Sequence, residues 1–222
     1  MTPKVLGISA SPQQGGKVDS LVQEVLSATR LPQEMVRLHT LEIRPCKACS
    51  ACRAENVCAL EDDWGDLSRK ILEAGALVLG GWAIAGMIDA STKCLMERFW
   101  SLRHHRQLTR GKVGVAVVVG ANPELAGTLA DALLQFMRNN GIIALGRVTA
   151  AGASPCLGCD DALEACEYSG VVTQYGLLER PGRSMYNPLE YQLASLKAAR
   201  VLGQRIGHKM QHLMARHGGE AV

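Results

Sequence analysis

The chain has 222 residues, of which 47% are hydrophobic, and a formal net charge of +3. That length suits one α/β domain with excursions, or a domain plus a small appendage, and the apolar content excludes global disorder. The slight charge, with basic residues not gathered in one tail, argues against nucleic acid as a partner.

With only two Phe, four Tyr and three Trp, the composition favours strands flanked by small-residue helices over an all-β sandwich. Residues 5–8 read as a short buried strand ending at Ser9. Ser11, Pro12, Gly15 and Gly16 form a turn, and residues 18–26 carry helical periodicity. Residues 35–38 are a weaker strand, followed by a cysteine-bearing loop. Asp62 or Asp63 caps a helix running to about Glu73, before a buried strand at 76–79. A helix over 88–102 shows an apolar stripe at Leu95 and Phe99. The valine run at 112–119 is the clearest central strand. A helix at 124–138, a strand at 142–148 and a helical segment at 188–216 complete the order.

Strands alternating with helices predict a doubly wound, five-stranded parallel sheet with cysteine-rich loops inserted. Such a sheet binds ligands at the carboxyl ends of its strands. The expected organisation is a core over 1–150 that includes a cysteine loop at 44–60, an excursion at 151–187, and a C-terminal helix within 188–222 packed on the core or on a partner. The N-terminus lacks a signal peptide's apolar stretch, and no window is long and apolar enough to span a bilayer, so a cytoplasmic protein without membrane contact is expected. In that compartment eight cysteines, five of them in C-x2-C spacings, read as metal ligands rather than disulfides.

Cys46, Cys49, Cys52 and Cys58 are spaced C-x2-C-x2-C-x5-C. Three cysteines with two residues between each can turn their sulfurs to a common centre from one tight loop, as a cubane [4Fe–4S] cluster requires. Zinc, which usually draws ligands from two separated C-x2-C knuckles, and a redox dithiol are the alternatives. Cys156, Cys159 and Cys166 form a second group that could be a further metal centre, completed by Cys94, Asp160, water or a partner residue, or a peripheral thiol pair. Arg103 to Arg106 read as a basic helix end, and His208 and His212 as a solvated face.

In the first loop, the Ser9 and Ser11 hydroxyls, the Gly15 and Gly16 backbone, the Lys17 charge and the following helix start could cradle a phosphate. A plain strand-to-helix turn is the alternative. The run Gly7-Ile-Ser-Ala-Ser-Pro12 with Gly15-Gly16, the cysteine quartet, and the segment from Ala74 through Gly81 to Arg98 together resemble the NADPH-dependent FMN reductase family of the flavodoxin-like superfamily, and specifically its iron–sulfur flavoprotein branch. The resemblance covers roughly the first 145 residues. It implies bound FMN contacted by Ser9, Ser11, Pro12, Gly15, Gly16 and Lys17 at the phosphate. It also implies Gly81, Trp82, Ala83, Ile84 and Gly86 at the ring, with Gly120 and Asn122 after the fourth strand. Three departures stand out: Gly81-Trp82-Ala83 in place of Pro-Val-Tyr, Lys17-Val18 in place of Asn-Thr, and a reduced loop at Gly120.

The function expected is an FMN and [4Fe–4S] dependent electron-transfer flavoprotein, a homodimer or homotetramer served by a ferredoxin-like donor. The flavin ring carries the chemistry, so no catalytic side chain is assigned. The alternatives are an NAD(P)H-dependent FMN or quinone reductase, and a non-catalytic iron–sulfur relay component of a larger complex.

Overall fold

A computed structural model of the chain describes residues 4–159, 166, 168–176, 178 and 180–217. Five parallel strands form its centre: β1 (Val5–Ser9), β2 (Gln33–Arg37), β3 (Ala76–Ile84), β5 (Val113–Gly120) and β6 (Ile143–Ala151), in the order β2-β1-β3-β5-β6. A two-residue strand, β4 (Met87–Ile88), turns back antiparallel on β3. The helices are α1 (Lys17–Thr29), α2 (Trp64–Glu73), α3 (Ala90–Arg98), α4 (Pro123–Asn139), α5 (Gly170–Tyr175) and α6 (Leu193–His217).

Strand alternation builds two cores from one sheet. On one face Val5, Ala76, Val78, Val113, Val115, Val117 and Val148 pack with Val22 and Val25 of α1 and Ala199 and Ile206 of α6. On the other, Leu6, Ile8, Leu77, Leu79, Ala116 and Val118 meet Trp64 and Ile71 of α2, Leu95 of α3 and Leu133 of α4. The central strand β5 is buried along its whole length, as its unbroken valine run requires. The last helix is one continuous element lying against α1, β6 and β5 of its own chain. A Cβ at Gly207 would stand 2.6 Å from the Thr29 carbonyl, so this close approach needs glycine.

Sequence patterning missed two features. The strand expected over 76–79 runs on to Ile84 and folds into a hairpin with β4, where a helix was expected to begin at 88. The pairing of Ile84 with Met87 leaves Ala85 and Gly86 as the turn, with φ of 49° and 78°. Positive φ at both positions is the type I′ geometry that matches strand twist, and it places a non-glycine residue in the left-handed region. The second feature is the end of the expected 88–102 helix, which tightens into a 3₁₀ turn from Phe99 to Leu102.

Candidate functional site

The carboxyl ends of β1, β3 and β5 bring residues 9–17, 81–89 and 120–122 to one edge of the sheet. In the first loop Asp19, on the opening turn of α1, organises the backbone. Its carboxylate accepts from the Ser9 hydroxyl at 2.5 Å and the Gly15 N–H at 2.9 Å, and the Arg37 guanidinium stands 2.9 Å away. Ser9 therefore shapes the loop from within. The Ser11 hydroxyl donates to the Gln13 carbonyl at 2.7 Å, and a Cβ on Gly16 would stand 2.6 Å from that hydroxyl oxygen. The first N–H groups of α1 have no acceptors within the helix, which leaves donors for an anion. Lys17 differs from the expected free point charge: its ammonium donates to the Tyr186 carbonyl at 2.7 Å, and burial pushes it below the usual lysine range.

At the end of β3, Asp89 ties the hairpin to α3. It accepts from the N–H groups of Trp82 at 3.0 Å and Thr92 at 2.8 Å and from the Thr92 hydroxyl at 2.7 Å. Gly81 is needed for this packing, since its Cβ would lie 2.7 Å from Ile88 and 2.8 Å from the Thr92 hydroxyl. The Trp82 indole N–H is buried and has no acceptor among the described residues. Ile84 and Met87 stand exposed at the hairpin tip. Asn122 caps α4 by accepting from the Leu125 N–H at 2.9 Å, and the Gly120 carbonyl accepts from the Gly152 N–H at 2.6 Å.

The segment between β2 and α2 carries the cysteine quartet. Cys46, Cys49, Cys52 and Cys58 line one cavity of about 80 Å³, together with Glu97, Arg98 and Trp100. The loop follows its path through left-handed backbone at Ala48, Ser50 and Asn56, with φ of 52°, 59° and 58°. Such non-glycine conformations persist only where the surroundings impose them. Asn56 supplies part of that constraint. Its side-chain NH2 donates to the Ser101 and Arg106 carbonyls, and its oxygen accepts from the Arg106 N–H.

The last turn of α3 grips the loop at both ends. Arg98 makes a two-pronged ion pair with Asp62 at 2.6 and 3.0 Å, and these side chains are 0% and 1% exposed. The same guanidinium donates to the Arg44 carbonyl at 2.9 Å and to the Cys58 sulfur at 3.3 Å, and lies 5.4 Å from the Trp64 ring centroid. Burial alone would raise the Asp62 carboxyl, but hydrogen bonds from Arg98 and from the Arg44 and Trp64 N–H groups pull it below its usual range. A hydrogen bond from Lys93, joined by the Cys46 N–H, lowers Glu97 likewise. Of the two expected helix caps, Asp62 accepts from the Trp64 N–H at 3.2 Å. The Asp63 side chain makes no cap bond to α2 and instead closes the loop, accepting from the Glu42 N–H at 2.6 Å.

The Cys52 thiol is pushed up by burial, with the neighbouring cysteines adding, so ionising the quartet needs compensating positive charge. His104 was expected as part of a basic helix end; its Nδ1 lies 3.1 Å from the Cys52 sulfur. His208 and His212 are exposed as expected. In the second group, hydrogen bonds from the Ser154 hydroxyl and then the Gly170 N–H hold the Cys156 thiol below its usual range. Cys94 is half-buried, its thiol pushed up by burial, and Asp160 lies outside the described residues. Among the described residues, no three Cys, His, Asp or Glu side chains are arranged to hold a single metal ion.

Residues 3–154 match the model of the NADPH-dependent FMN reductase family. The chain belongs to that family. An iron–sulfur flavoprotein of Methanocaldococcus jannaschii is 39% identical over 122 residues, which are 54% of this chain and 63% of that protein. An iron–sulfur flavoprotein of Archaeoglobus fulgidus is 23% identical over 212 residues, 94% of each chain. Both relatives are iron–sulfur flavoproteins, and the chain spans just under two thirds of the length of the Methanocaldococcus relative. Among solved structures, the NAD(P)H:quinone oxidoreductase of Methanothermobacter marburgensis superposes with a TM-score of 0.57 at 15% identity, covering 91% of this chain and 94% of that one. This likeness concerns the fold, a flavodoxin-like parallel sheet. No helix among the described residues is long and apolar enough to cross a membrane.

Proposed function

We propose that the chain is an electron-transfer flavoprotein that uses FMN and a [4Fe–4S] cluster to pass electrons between a low-potential, ferredoxin-like donor and a second redox partner. The observation that carries the reading is the single cavity lined by all four cysteines, with the Arg98 N–H aimed at one sulfur. A lone tetrahedral ion would draw its thiolates to within about 4 Å of one another, given metal–sulfur bonds of about 2.3 Å. A cubane spreads them over four irons. Four thiols in compact C-x2-C-x2-C-x5-C spacing that line one cavity support the cubane.

Cys46, Cys49, Cys52 and Cys58 would ligate the cluster. The N–H groups of Arg98 and Ala48, directed at the sulfurs of Cys58 and Cys46, would share their negative charge and raise the reduction potential. Ser11, Gly15, Gly16 and the α1 N-terminus would hold the FMN phosphate, and residues 81–86 would face the ring. The unpartnered Trp82 N–H fits a flavin, whose polar edge carries the acceptors this donor lacks. When bound, FMN would supply one- and two-electron chemistry and the cluster single-electron exchange. The chain sets their spacing: α3 begins at the ring hairpin and ends at Cys58, nine residues or roughly 13 Å of rigid helix. A cytoplasmic homodimer or homotetramer remains part of this proposal, and the exposed Ile84 and Met87 are apolar surface it would cover.

Anaerobically purified protein is expected to contain about four iron and four sulfide per chain. Stoichiometric zinc, without broad absorbance in the visible range, would remove the redox reading. Replacing Ser11 with Asp is expected to weaken FMN binding at least about a hundredfold, because a carboxylate would face the phosphate from the position of the present hydroxyl. Fluorescence titration that finds equal affinity for both proteins would remove the phosphate from this loop.

A further inference from the structure

Cys156 and Cys159 lie outside both sites, on a short turn that the structure holds firmly. Where β6 ends, Gln192 grips the backbone as a strand partner would, accepting from the Ala151 N–H at 2.7 Å and donating to the Ala151 carbonyl at 3.0 Å. Asn187 donates to the Gly152 carbonyl at 2.7 Å. Ser154 then opens a 3₁₀ turn (Pro155–Gly158), its hydroxyl oxygen accepting from the Cys156 N–H at 3.3 Å. The Cys159 N–H donates to the Cys156 carbonyl at 3.2 Å. A turn closed by such a bond keeps its end Cα atoms within about 7 Å. A disulfide spans about 4.4–6.8 Å.

Two separate segments, 154–159 and 169–171, meet around Cys156. The Ser154 side chain and the Gly170 backbone are the main influences that hold the Cys156 thiol below its usual range, with Ser169 and Val171 adding. Ser169 is fully buried, and its hydroxyl oxygen accepts from the Val172 N–H at 3.3 Å. Cys156 is half-buried and Cys159 exposed, so both remain open to a small reagent.

We propose that Cys156 and Cys159 are a reversible dithiol–disulfide pair that exchanges with small external disulfides, with Cys156 as the attacking thiol. The Cys156 thiolate attacks one sulfur of the external disulfide. That S–S bond breaks, a mixed disulfide forms on Cys156, and the departing thiolate takes a proton from water. Cys159 gives its proton to water and displaces the second external thiol, closing the 156–159 bond. The chain loses two electrons and the external disulfide gains them; a small external dithiol reverses the sequence. This chemistry needs neither flavin nor iron and goes beyond the reading above.

The full-length protein carrying Cys166→Ser, incubated with oxidised glutathione, alkylated and mapped by mass spectrometry, tests the proposal. A bond between Cys156 and Cys159 is expected. In the same background Cys159→Ser should trap glutathione on Cys156, and Cys156→Ser should slow modification of the segment at least about tenfold, since the activated thiol is gone. Both cysteines staying free for alkylation at every glutathione ratio would overturn it. So would glutathione reaching Cys159 as fast without Cys156 present, or iron or zinc that survives Cys49→Ala and is lost with Cys156→Ser.

Discussion

Arg98→Ala is expected to destabilise the protein by about 3–5 kcal/mol, the cost of leaving one member of a buried ion pair without the other. The Asp62 side chain is 1% exposed and, of its two cationic partners, would keep only the more distant Arg44 guanidinium at 3.7 Å, and the same change strips a donor from the Arg44 carbonyl and from the Cys58 sulfur. Urea denaturation followed by tryptophan fluorescence reads the loss directly, because Trp64 packs against Arg98. A companion change, Asp62→Asn with Arg98→Met, removes both charges and should recover a large part of the stability. An Arg98→Ala protein as stable as the parent would show that the pair contributes nothing.

The pH dependence has a definite sign. The folded Asp62 carboxyl sits below its unfolded value, so its contribution is complete above the ordinary aspartate range, about 3.9, and is lost as pH falls through the folded value beneath it. The stability gap between the parent and Asp62→Asn should therefore be widest near neutrality and close below about pH 4. A gap that widened toward acid would contradict the assignment.

The second large effect is expected from Cys49→Ala. Iron should fall from about four per chain to near zero, while far-UV circular dichroism keeps its native shape. Cys49 is exposed, and the loop that carries it contributes no strand to the sheet, so the change opens no cavity in either core. Reduction by a ferredoxin-like donor should collapse in this variant, whereas slow reduction of bound FMN by dithionite should persist. NADPH should reduce the parent poorly. Rapid stoichiometric reduction by NADPH in stopped flow, unchanged by the substitution, would replace the electron-transfer reading with that of a plain NAD(P)H-dependent reductase.

The doubly wound sheet and the cysteine quartet were both legible from residue order alone. A fully buried parallel strand must be apolar at every position, and β5 is. Ligand spacing within thirteen consecutive residues is a local property, and local properties survive translation into structure. What escaped was long-range. Arg98 carried one readable signal, lying three residues after Leu95 and four before Leu102 on the apolar face of its helix. A charge in a core register needs a partner. Asn56 and His104 offered no such signal, because their partners lie 45 to 52 residues away across a loop closure.

The sequence by itself determined the alternation of strands and helices, the edge at which their loops gather, and the four thiols placed within reach of one another. Only the tertiary structure decided what surrounds them. It made Asp62 and Asp63 the clasp of the cysteine loop, committed Ser9 to Asp19 and Lys17 to a distant carbonyl, and left the Trp82 N–H without an acceptor among the described residues. The physical reason is burial. A polar group removed from water must find a specific partner, and that partner is chosen by how the elements pack, whatever their order along the chain.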